Sequence, residues 1–497
     1  MDNGQRMTDN AMRTERQVAM RRGFLTLLVA FAAMVSVRAS LYDVTLYGAK
    51  GDGSTVDSPA INAAIVAAAD AGGGTVYVPA GRYLCYSIRL QSHVNLYLEQ
   101  GCTLVAAEPD GDMGYDMAEP NEWDRYQDFG HSHWQNSLIY GIGLEDITIS
   151  GYGTIDGSGG LTRGPDAHQA GKGNKAISLK LCRNVIIRDI KMRECGHFAL
   201  LATGVDNLQV LNLTVDTNRD GFDIDCCRNV RISGCTVNTP WDDAIVLKAS
   251  YALGYFRDTE DVTISDCLVS GFDRGTAIDC TWQQNDPQAP DRGGVTGRIK
   301  LGTESSGGFR HIAITNCVFR RCRGLALETV DGGLLEDVVI SNITMYEIVN
   351  SPLFLRLGAR LRSPEGTPPG ALRRVLISNI NVYDADSRFA SIIAGLPDAR
   401  IEDVTFQNIH IYHRGGYSTD DVTLPIPEQR DVYPEPWMFG TVPASGIYLR
   451  HASNIRFSGI HFHYAQPDTR PLFVAEDVEG ITTETITVDN EPVDVGR

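Results

Sequence analysis

The chain has 497 residues, with 44 Lys plus Arg against 62 Asp plus Glu and a formal net charge of -18. A field of that sign repels phosphate backbones and anionic lipid heads, so nucleic acid is not an expected partner, and a polyanionic ligand would need a locally basic cleft. The length suits either two or three ordinary domains or one solenoid whose coils pack only on their neighbours.

Mostly polar residues lead to Arg21-Arg22-Gly23-Phe24-Leu25, followed by an apolar run to Val37 and small residues around Val37-Arg38-Ala39. Residues 1–39 are read as an export signal that is removed, and the paired arginines before Phe-Leu resemble the twin-arginine signal used by folded proteins. A periplasmic or extracellular protein is expected; an ordinary secretory signal with a basic start is the alternative. The apolar run is shorter than the roughly 20 residues that span a bilayer, so no stable membrane insertion is expected.

Residues 40–110 form a cap and first coils. A helix is predicted from Pro59 to Ala71, with Asp57 or Ser58 as cap, Pro59 in the first turn, and Ile61, Ala64, Ile65 and Ala68 on one face. It would cover the open end of a solenoid.

Short segments of the form Asn/Asp-Val-x-Ile then recur, beginning at Asp146, Asn184, Asn207, Asn229, Asp261, His311, Asp337, Arg374, Asp403 and Asn454. Their spacing of about 22 to 38 residues, with two gaps near 50, marks a solenoid with loop insertions. Each alternates apolar and polar residues with period two, so each is a strand with one face in a core. Asn316, Asn342, Asn379 and Asn408 share one repeat position, suited to a stacked turn whose amides bond from coil to coil. Without helical stretches between the strands, the pattern predicts an all-β parallel β-helix of ten or more coils over residues 111–475, with an end strand or tail over 476–497. Cys235, Cys267 and Cys317 stand where Ile343, Ile380 and Ile409 stand in later repeats. The eleven cysteines are therefore read as free core thiols, with one bridge elsewhere.

Two motifs carry chemistry. Asn218-Arg219-Asp220-Gly221-Phe222-Asp223-Ile224-Asp225 is followed by Trp241-Asp242-Asp243-Ala244-Ile245-Val246-Leu247-Lys248 about one coil later. On a parallel β-helix, Asp220 and the Asp242-Asp243 pair would stack at the roughly 4.8 Å strand spacing. Crowding raises the pKa of at least one carboxyl, which leaves an acid beside ionised bases. The bland alternative is that these aspartates only cap turns, and Asp223 and Asp225 fit it better. Five aspartates so close could also hold Ca²⁺, but neither metal nor cofactor is expected. His131-Ser132-His133, among Trp123, Tyr126, Phe129 and Trp134, is read as a sugar-facing loop, the alternative being a loop packed over the solenoid.

The tandem aspartate motifs resemble glycoside hydrolase family 28, the polygalacturonases and rhamnogalacturonases. The Gly-rich segment from Tyr47 to Tyr83 resembles the N-terminal cap of the pectate-lyase-like β-helix superfamily, so the similarity runs from about Tyr42 to about Ala475. The resemblance implies a right-handed coil, a general acid at Asp242, water-activating carboxylates at Asp220 and Asp243, and an inverting reaction on an acidic plant cell-wall polysaccharide or oligosaccharide. Inversion calls for acid and base about 6.5 to 9.5 Å apart.

The family pattern is broken in two places. Its Gly-His-Gly falls on Thr296-Gly297-Arg298, without the histidine, and the following Gly302-Thr303-Glu304-Ser305-Ser306-Gly307-Gly308 is similar to a motif of exo-acting members. Its basic Arg-x-Lys falls on Ala326 and Glu328, and a carboxylate there should repel a uronate and favour a neutral sugar such as rhamnose. Arg298 and Lys300 are expected to supply the positive charge instead, unless they form a solvated strand edge. With these, Asn218, Lys248, Glu304, Glu328, His131, His133 and Trp134 are the candidate substrate-binding residues. The expected protein is a monomeric hydrolase of galacturonate-containing glycans, exo-acting or of rhamnogalacturonan type. A lyase on the same fold and a non-catalytic glycan-binding β-helix are the alternatives.

Overall fold

The Val-x-Ile repeats form strands that stack in register and carry the core up the axis. Val185 and Ile187 pair with Leu208 and Val210, these with Val230 and Ile232, and so on through Val262 and Ile264 to Ile312 and Ile314. All are buried, and burying each such side chain contributes roughly 1.5–3 kcal/mol. The computed structural model describes residues 41–163, 169, 171–285 and 294–495. The expected export signal lies outside them. From Tyr42 onward the chain is one compact unit, a right-handed parallel β-helix built from three such ladders. No described helix is long and apolar enough to cross a membrane.

The corners are made by residues that tolerate left-handed backbone. Asn316, Asn342, Asn379 and Asn408 have φ of 56, 57, 56 and 53°, where a short amide side chain is favoured. The amides of Asn342, Asn379 and Asn408 each donate to the asparagine one coil below, at 3.2, 3.1 and 2.8 Å, and that of Asn316 donates to Asp266 at 3.3 Å. A second ladder joins the residues that open four of the repeats, Asn229, Asn207, Asn184 and Asp146, at 2.7, 2.8 and 2.8 Å.

The predicted helix is α1, Ser58–Asp70, with Ile61, Ala64, Ile65 and Ala68 buried. Its cap differs from expectation. The Asp57 carboxylate makes no capping bond and instead accepts from the amides of Lys50 and Gly51, at 2.7 and 3.0 Å. All eleven cysteines are free, ten buried and Cys280 exposed. The bridge expected elsewhere does not form.

The ladder that positions the site runs through Ser137–Ile142 (β1), Lys175–Lys180 (β2), Phe198–Thr203 (β3), Asp220–Asp225 (β4), Ile245–Ala249 (β5), Ile299–Ser305 (β6), Leu325–Thr329 (β7), Leu353–Leu357 (β8), Ser391–Ala394 (β9) and Ile447–Tyr464 (β10). One row along it is continuous in register: Leu201, Asp223, Val246, Lys300, Ala326, Phe354, Ile392, Tyr448. Since side chains alternate faces and the neighbouring row of Leu200, Phe222, Ile245 and Ile299 fills the core, this row faces outward. It is apolar at both ends. On the early coils, Trp134 from the loop 107–136 packs on Phe198 and Leu201. On the later coils, Met438, Phe439, Val442 and Ala444 from the loop 414–446 pack on Ala326, Phe354, Ile392 and Tyr448. Only the middle of the row, on β4 to β6, carries charge, in Asp223 and Lys300, and these lie buried against His131 and Tyr433 of the two loops, below the pocket.

Candidate active site

Asp220 opens β4 and is followed by Gly221, whose amide donates to the Asp243 carbonyl at 3.0 Å. A Cβ at Gly221 would lie 2.2 Å from the Ala244 carbonyl oxygen, so glycine is what lets the two coils close up. The Trp241-Asp242-Asp243 turn precedes β5 and is pinned at the Asp242 carbonyl, which accepts from Thr239 Oγ1 at 2.8 Å and Gly297 N at 2.9 Å. Gly297 has φ 54° and room for no side chain, since a Cβ would meet Ser270 O at 2.2 Å. The backbone therefore accounts for the missing histidine.

One oxygen from each of Asp220, Asp242 and Asp243 lies within 4.8 Å of the others, as the stacking argument anticipates. This is narrower than the expected 6.5 to 9.5 Å: adjacent coils hold the carboxylates closer than an opposed acid and base usually stand. Each has different partners. Asp242 accepts from Arg219 Nε at 2.8 Å, with Nη2 at 2.7 Å. Asp243 accepts from Arg298 Nε at 2.9 Å and pairs with Lys300 Nζ at 3.1 Å. Burial works against ionisation of both, but Arg219 beside Asp242, and Lys300 and Arg298 beside Asp243, hold them below the usual carboxylate range. Asp220 goes the other way: burial, then the charges of Asp223 and Asp242, push its carboxyl well above that range. The surroundings thus favour the neutral form at Asp220 more than at Asp242, where the resemblance puts the acid.

Together with Asp220, Asp242 and Asp243, a pocket of about 320 Å³ is lined by Asp128, Phe129, His131, Arg219, Trp241, Lys248, Thr296, Arg323, Arg362, Tyr433 and Glu435. Of the candidate binding residues, it includes His131 and Lys248. Lys248 Nζ lies 2.7 Å from His131 Nε2 and 2.9 Å from Glu304 Oε2, and His131 Nε2 lies 2.8 Å from Asp223 Oδ2. Asp223 is thus part of the site network rather than a turn residue. Glu304 is buried behind it, accepting from the Asp128 amide at 3.0 Å. Asn218 is half-buried, its amide oxygen accepting from Thr217 Oγ1 at 3.3 Å, and does not line the pocket.

Several candidates fall elsewhere. Trp134 is fully buried, with Nε1 donating to Thr203 Oγ1 at 3.1 Å, and His133 Nδ1 lies 2.6 Å from the Glu119 carbonyl. For these two residues the loop packs over the solenoid and offers no ring to a sugar. Arg298 and Lys300 are buried under the pocket floor rather than on a solvated edge. Glu328 is also fully buried, 3.7 Å from Arg298 Nη2 and 3.5 Å from Lys300 Nζ. It therefore does not line a subsite, and a neutral sugar is not required by it. Ala326 lies under the 414–446 loop, where an arginine has no space.

Sequence reasoning missed the pocket residues Arg219, Arg323, Arg362, Tyr433 and Glu435. Glu435 accepts from Arg298 Nη2 at 2.6 Å and Arg323 Nη1 at 2.7 Å, and Tyr433 Oη accepts from Lys300 Nζ at 3.0 Å. Arg219 stood inside a motif, whereas the loop residues have no repeat register to reveal them. The carboxylates are spaced closely enough to ligate a cation. A divalent ion would however share them with Arg219, Lys248, Arg298 and Lys300, which already neutralise them.

Fold and pocket together define a right-handed parallel β-helix with an aspartate-floored pocket on one face. Residues 41–102 match the family model described as Rhamnogalacturonase A/epimerase, pectate lyase-like, and residues 126–271, which carry both aspartate motifs, match Glycosyl hydrolases family 28. The segment around the site is thus similar to family 28 glycoside hydrolases. A Vitis vinifera protein named "Probable polygalacturonase" is 26% identical over 347 residues, 65% of this chain and 64% of that protein, so the chain spans just under two thirds of that relative. The Dickeya chrysanthemi exo-poly-alpha-D-galacturonosidase is 22% identical over 481 residues, 91% of this chain and 74% of that protein. The family 28 exopolygalacturonase of Yersinia enterocolitica superposes with a TM-score of 0.64 at 16% identity, covering 93% of this chain and 80% of that one, which establishes the fold.

Proposed function

We propose that this protein is a polygalacturonase-like glycoside hydrolase that removes sugars from the ends of galacturonate-containing pectic chains. The observation that carries this reading is the aspartate trio on the floor of a pocket walled at both ends of its ladder, by the loop 107–136 and by the loop 414–446. A groove open at both ends would accept the middle of a polymer, whereas a pocket between two packed loops admits a chain end.

The geometry supports the following sequence. The proton held on Asp220 passes to Asp242, whose oxygen is within 4.8 Å, directly or through a water. Asp242 protonates the glycosidic oxygen as the bond breaks. Asp220, now ionised, and Asp243, kept ionised by Lys300 and Arg298, take the proton of the attacking water. Removing the acid with Asp242→Asn should cost roughly 10²- to 10⁴-fold in turnover, and Asp220→Asn and Asp243→Asn should be similarly impaired.

The test is incubation of the protein with a panel of pectic oligosaccharides and mass spectrometry of the products. Single sugars should appear first. Early release of a ladder of internal fragments would exclude chain-end action, and unsaturated, ultraviolet-absorbing products would indicate a lyase. Proton NMR of the first anomer formed should show inversion; initial retention would assign one aspartate as nucleophile, the outcome that the close spacing alone would favour. Export through the Arg21-Arg22 signal and action as a monomer belong to the same proposal. Arg21→Lys with Arg22→Lys should hold the precursor in the cytoplasm if the folded-protein route is used.

A further inference from the structure

The pocket must attract an acidic sugar despite the net charge of -18, and its cations are unequally available. Arg219 is bound to Asp242, Arg323 to Glu435, and Lys248 to Glu304 and Asp223. Their side chains are 23%, 8% and 9% exposed. Arg362 is 39% exposed and comes from the segment after β8, far in sequence from both aspartate motifs. It reaches across the pocket mouth to Asp128, which lies in the loop 107–136.

The Asp128 partner is itself 30% exposed, and it stands between two guanidinium groups. Its other oxygen is 3.7 Å from Arg360 Nη1. That Nη1 is buried and has no hydrogen-bond partner, although Arg360 Nε donates to Asp331 at 2.9 Å. A buried N–H of a charged group left without an acceptor is costly, and a slight turn of Asp128 would satisfy it. The arrangement thus has two positions for one carboxylate and a vacancy at Arg362 when Asp128 takes the second.

We infer that Arg362 recognises the carboxylate of the uronate held in the pocket, while Asp128 moves over to Arg360 Nη1. The inference rests on the pectic reading above and supplies the basic residue that neither Ala326 nor Glu328 provides. A guanidinium fits a carboxylate with two parallel N–H bonds, which a lysine does not reproduce. Arg362 is a specificity residue in this account and takes no part in bond breaking.

Two measurements separate this inference from the function. Calorimetric titration of galacturonic acid and of galactose into wild type, Arg362→Lys and Arg362→Gln tests recognition without turnover. Arg362→Gln should weaken galacturonic acid binding by about 10- to 100-fold, the span of a charge-assisted hydrogen bond, with Arg362→Lys intermediate and galactose binding unchanged. Hydrolysis of trigalacturonate and of its carboxyl-reduced counterpart should show the same selectivity, with the loss in KM rather than kcat. If Arg362→Gln binds galacturonic acid as wild type does, or loses both sugars equally, the inference fails. If the binding pattern holds but no pectic oligosaccharide is cleaved, the assignment of Arg362 stands and the hydrolase reading fails.

Discussion

Glu328→Gln tests the buried charge cluster under the pocket floor. Glu328 is fully buried; its Oε1 has no hydrogen-bond partner and its Oε2 accepts from Thr303 Oγ1 at 3.2 Å. Burial pushes its carboxyl up to about 7, against the pull of Lys300 and Arg298, from an ordinary value of 4.5. Because the folded pKa is the raised one, the stability that the protonated group contributes is complete below pH 4.5 and is lost as pH rises through 7. At about 1.36 kcal/mol per unit, the loss across that window is on the order of 3 kcal/mol. Glutamine cannot titrate, so the variant lacks this slope. Urea denaturation of both proteins at pH 5 and pH 8 should show the variant gaining on wild type by roughly 2–3 kcal/mol at the higher pH. Any constant effect of the new amide cancels in that difference. A gap that does not change with pH, or one that moves in favour of wild type, would refute the argument.

Asp223→Asn removes a negative charge that raises the Asp220 carboxyl, so the alkaline limb of kcat/KM should move to lower pH; an unchanged or upward-shifted limb would detach that limb from Asp220. Gly221→Ala places a methyl 2.2 Å from the Ala244 carbonyl, and forcing the coils apart should cost about 1–3 kcal/mol in denaturant and reduce turnover as well. Ala326→Arg, which restores a family-like residue, should leave substrate preference unimproved and lower the melting temperature markedly, because the position is buried beneath the 414–446 loop. Increased activity on galacturonate oligomers from that variant would mean the loop does not cover the position.

The sequence by itself determined the coil. Period-two segments with Val and Ile at one face can bury that face only by stacking on copies of themselves, and asparagines at a recurring corner favour the left-handed turn that Asn342 and Asn379 adopt. The aspartate trio was legible for the same reason: residues one coil apart must become neighbours, as Gly221 and Asp243 do. What tertiary structure alone decided is which outward positions reach solvent. Period two says that Ala326 and Lys300 share a row, and says nothing of a loop from residues 414–446 covering both, with Tyr433 over Lys300. Trp134 and Glu328 looked available for the same reason, and both are buried. Nor does a repeat reveal that Arg362 and Asp128, 234 residues apart, meet at the pocket mouth. Contacts along the coil follow from spacing, whereas contacts between inserted loops depend on where each loop packs, and no periodicity encodes that.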